Sequence, residues 1–172
     1  MTSFPSVNLR TALLVAPLIS TSCSLWFAAD QHFFLQIFTR PECRERSNVL
    51  LPDYFRAFFS AGLPRVVGLL GITTWASVGS IWQARPLLES HGSLKWYMAT
   101  AALAVGHLVF VPAVAPRIQG IAEGGFERGH GGGQKSNVDL LREWLRINMV
   151  RTLTTDLGAW LCCLMAVSKT LG

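Results

Sequence analysis

The sequence predicts an all-α fold, an integral membrane bundle of four transmembrane helices, and three observations predict it. Only 15% of the 172 residues are charged and 51% are hydrophobic, whereas an average soluble domain carries about 25% charged residues. Four stretches approach the roughly 20 apolar residues that a helix needs to cross a bilayer core about 30 Å thick. Three of them are uncharged over 11–29, 66–84 and 96–116, so they lack the polar face that a soluble bundle helix turns to water. The spans are expected at about 11–34, 62–84, 95–116 and 138–169, within one domain covering 1–172.

The first span follows Arg10, reads TALLVAPLISTSCSLWFAA and continues into FFLQIF. A basic residue before an apolar run is also the mark of a secretory signal. This run is long for a signal core and ends in aromatic residues rather than at a small-residue cleavage site, so a retained signal anchor is expected. The segment that follows carries Pro41, Pro52 and Pro64, and in DYFRAFFSAG the aromatic Tyr54, Phe55, Phe58 and Phe59 alternate with Arg56 and Ser60. Aromatic residues collect at the membrane interface, and a short interfacial helix is expected here.

The second span contains Gly68, Gly71, Thr73, Thr74, Ser77, Gly79 and Ser80. Lipid gives helices no hydrophobic reason to associate, so small residues that allow close backbone approach mark a packing face and a central helix. The short loop RPLLESHGSLK forces spans two and three to run antiparallel. The next loop, EGGFERGHGGGQKSN, is rich in glycine without the GxxxxGK[ST] pattern of a phosphate loop, and reads as a flexible connection. In the fourth element Ser136 or Asn137 can cap the helix and Asp139 complements its N-terminus. The helix LLREWLRINMVR then runs into LTTDLGAWLCCLMAV, bringing Asn148, Arg151 and Asp156 toward the bilayer.

The formal net charge of +5 sits in loops, mixed with acids as in RPECRER. No nucleic-acid motif accompanies it, and the expected partner is the bilayer rather than a nucleic acid. The basic residues concentrate in the first and third loops, which by the positive-inside rule sets both termini on the non-cytosolic side of an endomembrane. Cys23, Cys43, Cys162 and Cys163 show no zinc-site spacing, and no metal is expected.

Ionisable groups within a span cost about 2.5 to 3.5 kcal/mol at a helix centre on insertion scales, so they face the bundle interior and have a use. His107 lies mid-span in ALAVGHLVFVPAVAP, where a neutral imidazole can accept a proton or simply bridge two helices. Trp144, Asn148 and Arg151 fall at i, i+4 and i+7, on one helical face, with Asp156 deeper. Asp30 and His32 close the first span in the tripeptide DQH, either as site residues or as its polar boundary, with Gln31 between them.

Two patterns carry a family resemblance: a third-span histidine followed by proline, here GHLVFVPAVAPRI, and W-x3-[HN]-x2-R, here WLRINMVR from Trp144 to Arg151. With the four-span plan, they make the chain resemble the fungal anthrone oxygenases, small membrane proteins that share the domain of unknown function DUF1772. The chain departs from that family at Asn148, where many members carry histidine, and along its first loop. The resemblance implies a cofactor-independent oxygenation in secondary metabolism, with O2 as co-substrate and a polycyclic aromatic polyketide as substrate. It implies His107 as base, Asn148 and Arg151 as oxyanion holders, and Trp26, Trp75 and Trp144 around a planar substrate arriving from lipid, with Asp30 and His32 nearby. Two other readings stand beside it: a non-oxidative cyclase or isomerase using the same groups, and a non-catalytic scaffold that holds soluble biosynthetic enzymes at a membrane.

Overall fold

The computed structural model describes residues 8–124 and 135–172. Helix α1 spans Leu9–Ile37, and a 3-10 turn at Pro41–Cys43 leads into α2, Arg44–Ser90. The third stretch is α3, Leu94–Gly106, joined through a 3-10 segment at His107–Phe110 to α4, Val111–Ala122. The fourth is α5, Asn137–Arg151, joined through a π-helical segment at Thr152–Asp156 to α6, Leu157–Leu171. All four stretches are long and apolar enough to cross a membrane.

The buried positions of α1 are Leu14, Pro17, Ser20, Thr21, Ala28, Gln31 and Leu35, which fall along one helical face. On α2 the buried face in the apolar half is made of Thr73, Ser77, Ser80 and Ala84; of the small residues expected to mark a packing face, Thr73, Ser77 and Ser80 lie on it, whereas Gly68 is exposed. The helix packs along both α1 and α3. The turn from α2 to α3 uses Gly92 at φ +62°, a left-handed conformation that glycine adopts without a Cβ penalty.

The expected short interfacial helix is not a separate element. DYFRAFFSAG lies in the first half of α2, a stretch of 47 residues with Pro52, Pro64 and Pro86 inside it and a break in helical geometry at Ala84 (φ −122°, ψ 17°). Proline removes one backbone donor and frees the carbonyl four residues earlier, and here a neighbouring helix takes up the freed group. Pro52 frees the carbonyl of Asn48, which accepts from Asn137 Nδ2 at 2.8 Å. In α1, Pro17 likewise frees the carbonyl of Leu13, which accepts from Ser80 Oγ of α2 at 3.1 Å. These prolines join helices instead of ending them.

Asn48 also accepts, through its side chain, from the Val138 N–H at 3.0 Å, and Ser136 accepts from the Asp139 N–H at 3.2 Å. The start of α5 is therefore capped by its own serine, as expected, and by a residue of α2. Most of the glycine-rich connection, 125–134, lies outside the described residues.

Two apolar cores result. One joins Leu35, Leu51, Phe55, Ile121, Val138, Leu141, Trp144 and Leu145, near the end of the bundle where α1 meets α2 and α4 meets α5. The other joins Leu14, Ala84, Leu88, Tyr97 and Ala166, near the opposite end. Tyr97 donates its hydroxyl to the Leu14 carbonyl at 2.9 Å, fastening α3 to α1. A polar layer lies between the cores.

Phe55 is fully buried and meets Trp144 edge to face at 6.2 Å between ring centres. Phe55→Ala is expected to destabilise the detergent-purified protein by about 3 to 5 kcal/mol, read as a lower thermal midpoint. Val49→Ala, at a position 74% exposed on the same helix, leaves the midpoint in place.

Candidate active site

Near the middle of the third apolar stretch, Leu94–Ala122, the α-helical bonding of α3 gives way to the 3-10 segment that starts at His107. Pro112 has no N–H to continue the ladder, and Val111 bonds back to the Leu108 carbonyl instead. Opposite, the fourth stretch widens into its π turn at Thr152–Asp156. There Thr152, Thr154 and Thr155 donate their hydroxyls to the carbonyls of Asn148, Val150 and Arg151 at 2.7 to 3.0 Å. Irregular turns of this kind inside helices re-aim side chains and are frequent at functional sites.

What they re-aim is a buried set of three groups. His107 Nδ1 lies 2.9 Å from Asp156 Oδ1, and Arg151 Nε lies 3.3 Å from Asp156 Oδ2. The side chains of His107 and Arg151 are each 11% exposed, that of Asp156 6%. A carboxylate can only accept, so Nδ1–H donates to Asp156, and in the neutral imidazole Nε2 then carries the lone pair. Arg151 Nε makes no aligned hydrogen bond, so charge at close range holds it to Asp156.

A cavity of about 450 Å³ opens beside this set. His107, Arg151, Gln31 and Gln119 are its polar lining, and Phe58, Phe59, Val66, Leu70, Val114 and Trp144 are among its apolar residues. Leu63, Val67, Leu108 and Val111, which also border it, are about half exposed, so the cavity opens outward between α2 and the third stretch. Behind the polar lining, His107, Arg151, Asp156 and Gln31 also border a void of about 20 Å³, enough for one water-sized molecule.

The expected site residues separate into three groups. His107, Arg151 and Trp144 share the cavity. Asn148 is buried on the same face of α5, one turn from Arg151, with no hydrogen-bond partner for its amide among the described residues, and it does not border the cavity. Trp26, Trp75, Asp30 and His32 lie elsewhere. Trp26 and Trp75 are 72% and 74% exposed, because each stands two residues, about 200°, from buried positions at Ala28, Thr73 and Ser77. Asp30 and Trp26 border an open groove of about 770 Å³ between α1 and α2. His32 borders a different cleft against α5. The residue of DQH that reaches the cavity is Gln31.

Asp156 and Gln31 are the functional candidates that residue type alone left in the background. The three-and-four spacing of the buried positions of α1 points Gln31 inward and turns its neighbours aside. An acid inside an apolar stretch needs a partner, and Arg151 lies close before it in sequence.

Asp156→Asn leaves Arg151 buried with no counter-charge, and breaking a buried ion pair from one side costs about 3 to 5 kcal/mol. The double variant Asp156→Asn/Arg151→Gln removes both charges. It is expected to melt at a higher temperature than Asp156→Asn alone, measured as thermal midpoints in one detergent.

Three relatives match nearly the whole chain, among them two named epoxidases. The epoxidase pydX of Acremonium sp. is 29% identical over 163 residues, covering 92% of this chain and 94% of its own length. The epoxidase gkaX of Penicillium citrinum is 30% identical over 171 residues, covering 94% and 95%. No solved structure matches the chain. No family model matches it either, so the likeness to the anthrone oxygenases rests on the four-span plan and the two short patterns. The identity to gkaX, sustained over nearly the full length of both proteins, means that the chain belongs to the same family as this epoxidase.

Proposed function

We propose that the chain is a membrane-embedded oxygenase that holds an apolar small molecule in the 450 Å³ cavity and uses O2 as co-substrate. The observation that carries the reading is the imidazole of His107, held through Nδ1 by a buried carboxylate and bordering an otherwise largely apolar cavity. The named activity of the relatives, epoxidation, supports the class of reaction.

In this reading His107 Nε2 takes a proton from an acidic C–H bond of the substrate, and Asp156 stabilises the imidazolium that forms. The carbanion gives its electrons to O2, a C–O bond forms, and Arg151 balances the negative charge that moves to oxygen. Where the peroxidised carbon still bears hydrogen, as in an anthrone, loss of water breaks the O–O bond and leaves a quinone. Where a carbon–carbon double bond lies within reach, the peroxide passes its outer oxygen to it. The products are then an epoxide and, after reprotonation, an alcohol on the original carbon. Either way the substrate supplies all the electrons, and no bound cofactor takes part. The substrate enters from an endomembrane through the opening between α2 and the third stretch, after soluble biosynthetic enzymes have made it.

The test is isotopic. Microsomes containing the chain are given anthrone, or an alkene-bearing β-diketone, under 18O2. Labelled quinone or epoxide is expected to form faster than in empty microsomes, and His107→Ala is expected to lower that enzymic rate by about 10²- to 10⁴-fold. Rates equal to empty microsomes would remove these substrate classes. Rearranged product without label would assign His107 to non-oxidative proton transfer, the isomerase reading.

Gly62 borders the cavity, and a Cβ placed there meets no atom within 4 Å. Gly62→Leu therefore branches from an open position at the cavity border and takes space that the substrate needs. It is expected to raise KM about tenfold or more, equivalent to roughly 1.4 kcal/mol of lost binding, with little change in thermal midpoint.

A further inference from the structure

We infer that the cleft between α1 and α5 is a binding site for the phosphate headgroup of an anionic phospholipid. The inference is independent of the proposed oxygenase activity. The cleft has a volume of about 400 Å³ and is separate from the His107 cavity.

The two helices are antiparallel, so the residues of the cleft lie in levels. At the outer level Arg142 donates to the Thr39 carbonyl at 2.9 Å. Gln36 and Arg146 come about one turn deeper, and His32, Met149 and Val150 a further turn down. Arg146 is exposed and has no carboxylate partner among the described residues. The acid nearest the outer level, Asp139, is already shared by Arg44 at 3.1 Å and Arg142 at 3.3 Å. The cleft thus keeps a positive charge that nothing described in the chain neutralises.

Depth decides what can neutralise it. Asp156 lies at the level of His107, near the middle of the apolar stretches. Arg146 precedes it by ten residues, or about 15 Å, which is half of a hydrocarbon core roughly 30 Å thick. That is the depth at which headgroups begin. Arg142, one turn further out, lies among them. A phosphate between these two arginines has its acyl chain directed down past Leu145, Met149 and Val150, the apolar part of the cleft. The His32 ring stands beside the upper part of that chain, where the ester carbonyls accept hydrogen bonds. Each arginine near a membrane surface contributes about a fivefold preference for anionic lipid.

The full chain, purified in detergent, is titrated with phosphatidylglycerol, phosphatidylcholine or inorganic phosphate and examined by native mass spectrometry. One phosphatidylglycerol is expected to remain bound where phosphatidylcholine is lost. Arg146→Gln is expected to weaken retention about fivefold, Arg146→Lys to restore most of it, and Lys169→Gln, at the opposite end of the bundle, to change nothing. Unaltered helical circular dichroism shows that the variants fold. Equal retention of the two lipids, or an Arg146→Gln variant that retains phosphatidylglycerol like the wild type, would overturn the inference. Displacement of the lipid by inorganic phosphate at equal concentration would overturn its lipid part and leave a site for free phosphate.

Discussion

The carboxylate of Asp156 is the group around which the middle of the bundle is organised. A charge at that depth is tolerated only with a partner, and Asp156 has two, His107 from the third stretch and Arg151 from its own. The first of those contacts joins the 3-10 segment of one helix to the π segment of another. It also defines what the imidazole can do, since a neutral ring that donates its Nδ1–H to a carboxylate has its Nε2 lone pair free. The apolar cores on either side of this layer keep water away from it, which strengthens every electrostatic interaction inside.

The same lack of water governs the backbone. Within four stretches apolar and long enough to cross a membrane, few backbone N–H and C=O groups can go without a partner, and the chain uses proline and small hydroxyl side chains together to meet that demand. Pro17 and Pro52 free carbonyls that Ser80 and Asn137 then occupy. Ser20 donates to the Leu69 carbonyl at 2.8 Å and accepts from Thr73 at 2.9 Å, adding a further tie between α1 and α2. The helices are thus held by polar contacts at defined heights, and the cavity between α2 and the third stretch lies where such ties are sparse and glycine leaves space at Gly62.

Much of this was legible in the sequence. The four spans follow from length and lack of charge, and the small residues of α2 announce its central place. His107, Trp144 and Arg151 could be selected because helical spacing and the cost of buried charge act locally. That the expected interfacial helix is continuous with the second span was not legible, because the partner that satisfies the carbonyl of Asn48 freed by Pro52 is Asn137, far away in sequence. Nor was it legible that Trp26, Trp75, Asp30 and His32 lie away from the His107 cavity, because residue type says nothing of rotation about the helix axis. That rotation is visible only once the buried positions on each helix are known. The contact between His107 and Asp156 spans 49 residues, and no local pattern encodes it.

Kinship with a named epoxidase and a buried imidazole beside a largely apolar cavity both support the proposed oxygenase reading. The central claim is that His107 and Asp156 act as one unit. It is tested most directly by a kinetic double-mutant cycle, comparing turnover of one substrate by His107→Ala, Asp156→Asn and the double variant, each corrected for folded protein. Groups that act as a unit lose their effect together, so the double variant is expected to be no slower than His107→Ala alone. Losses that multiply, each substitution lowering turnover independently of the other, would contradict the account.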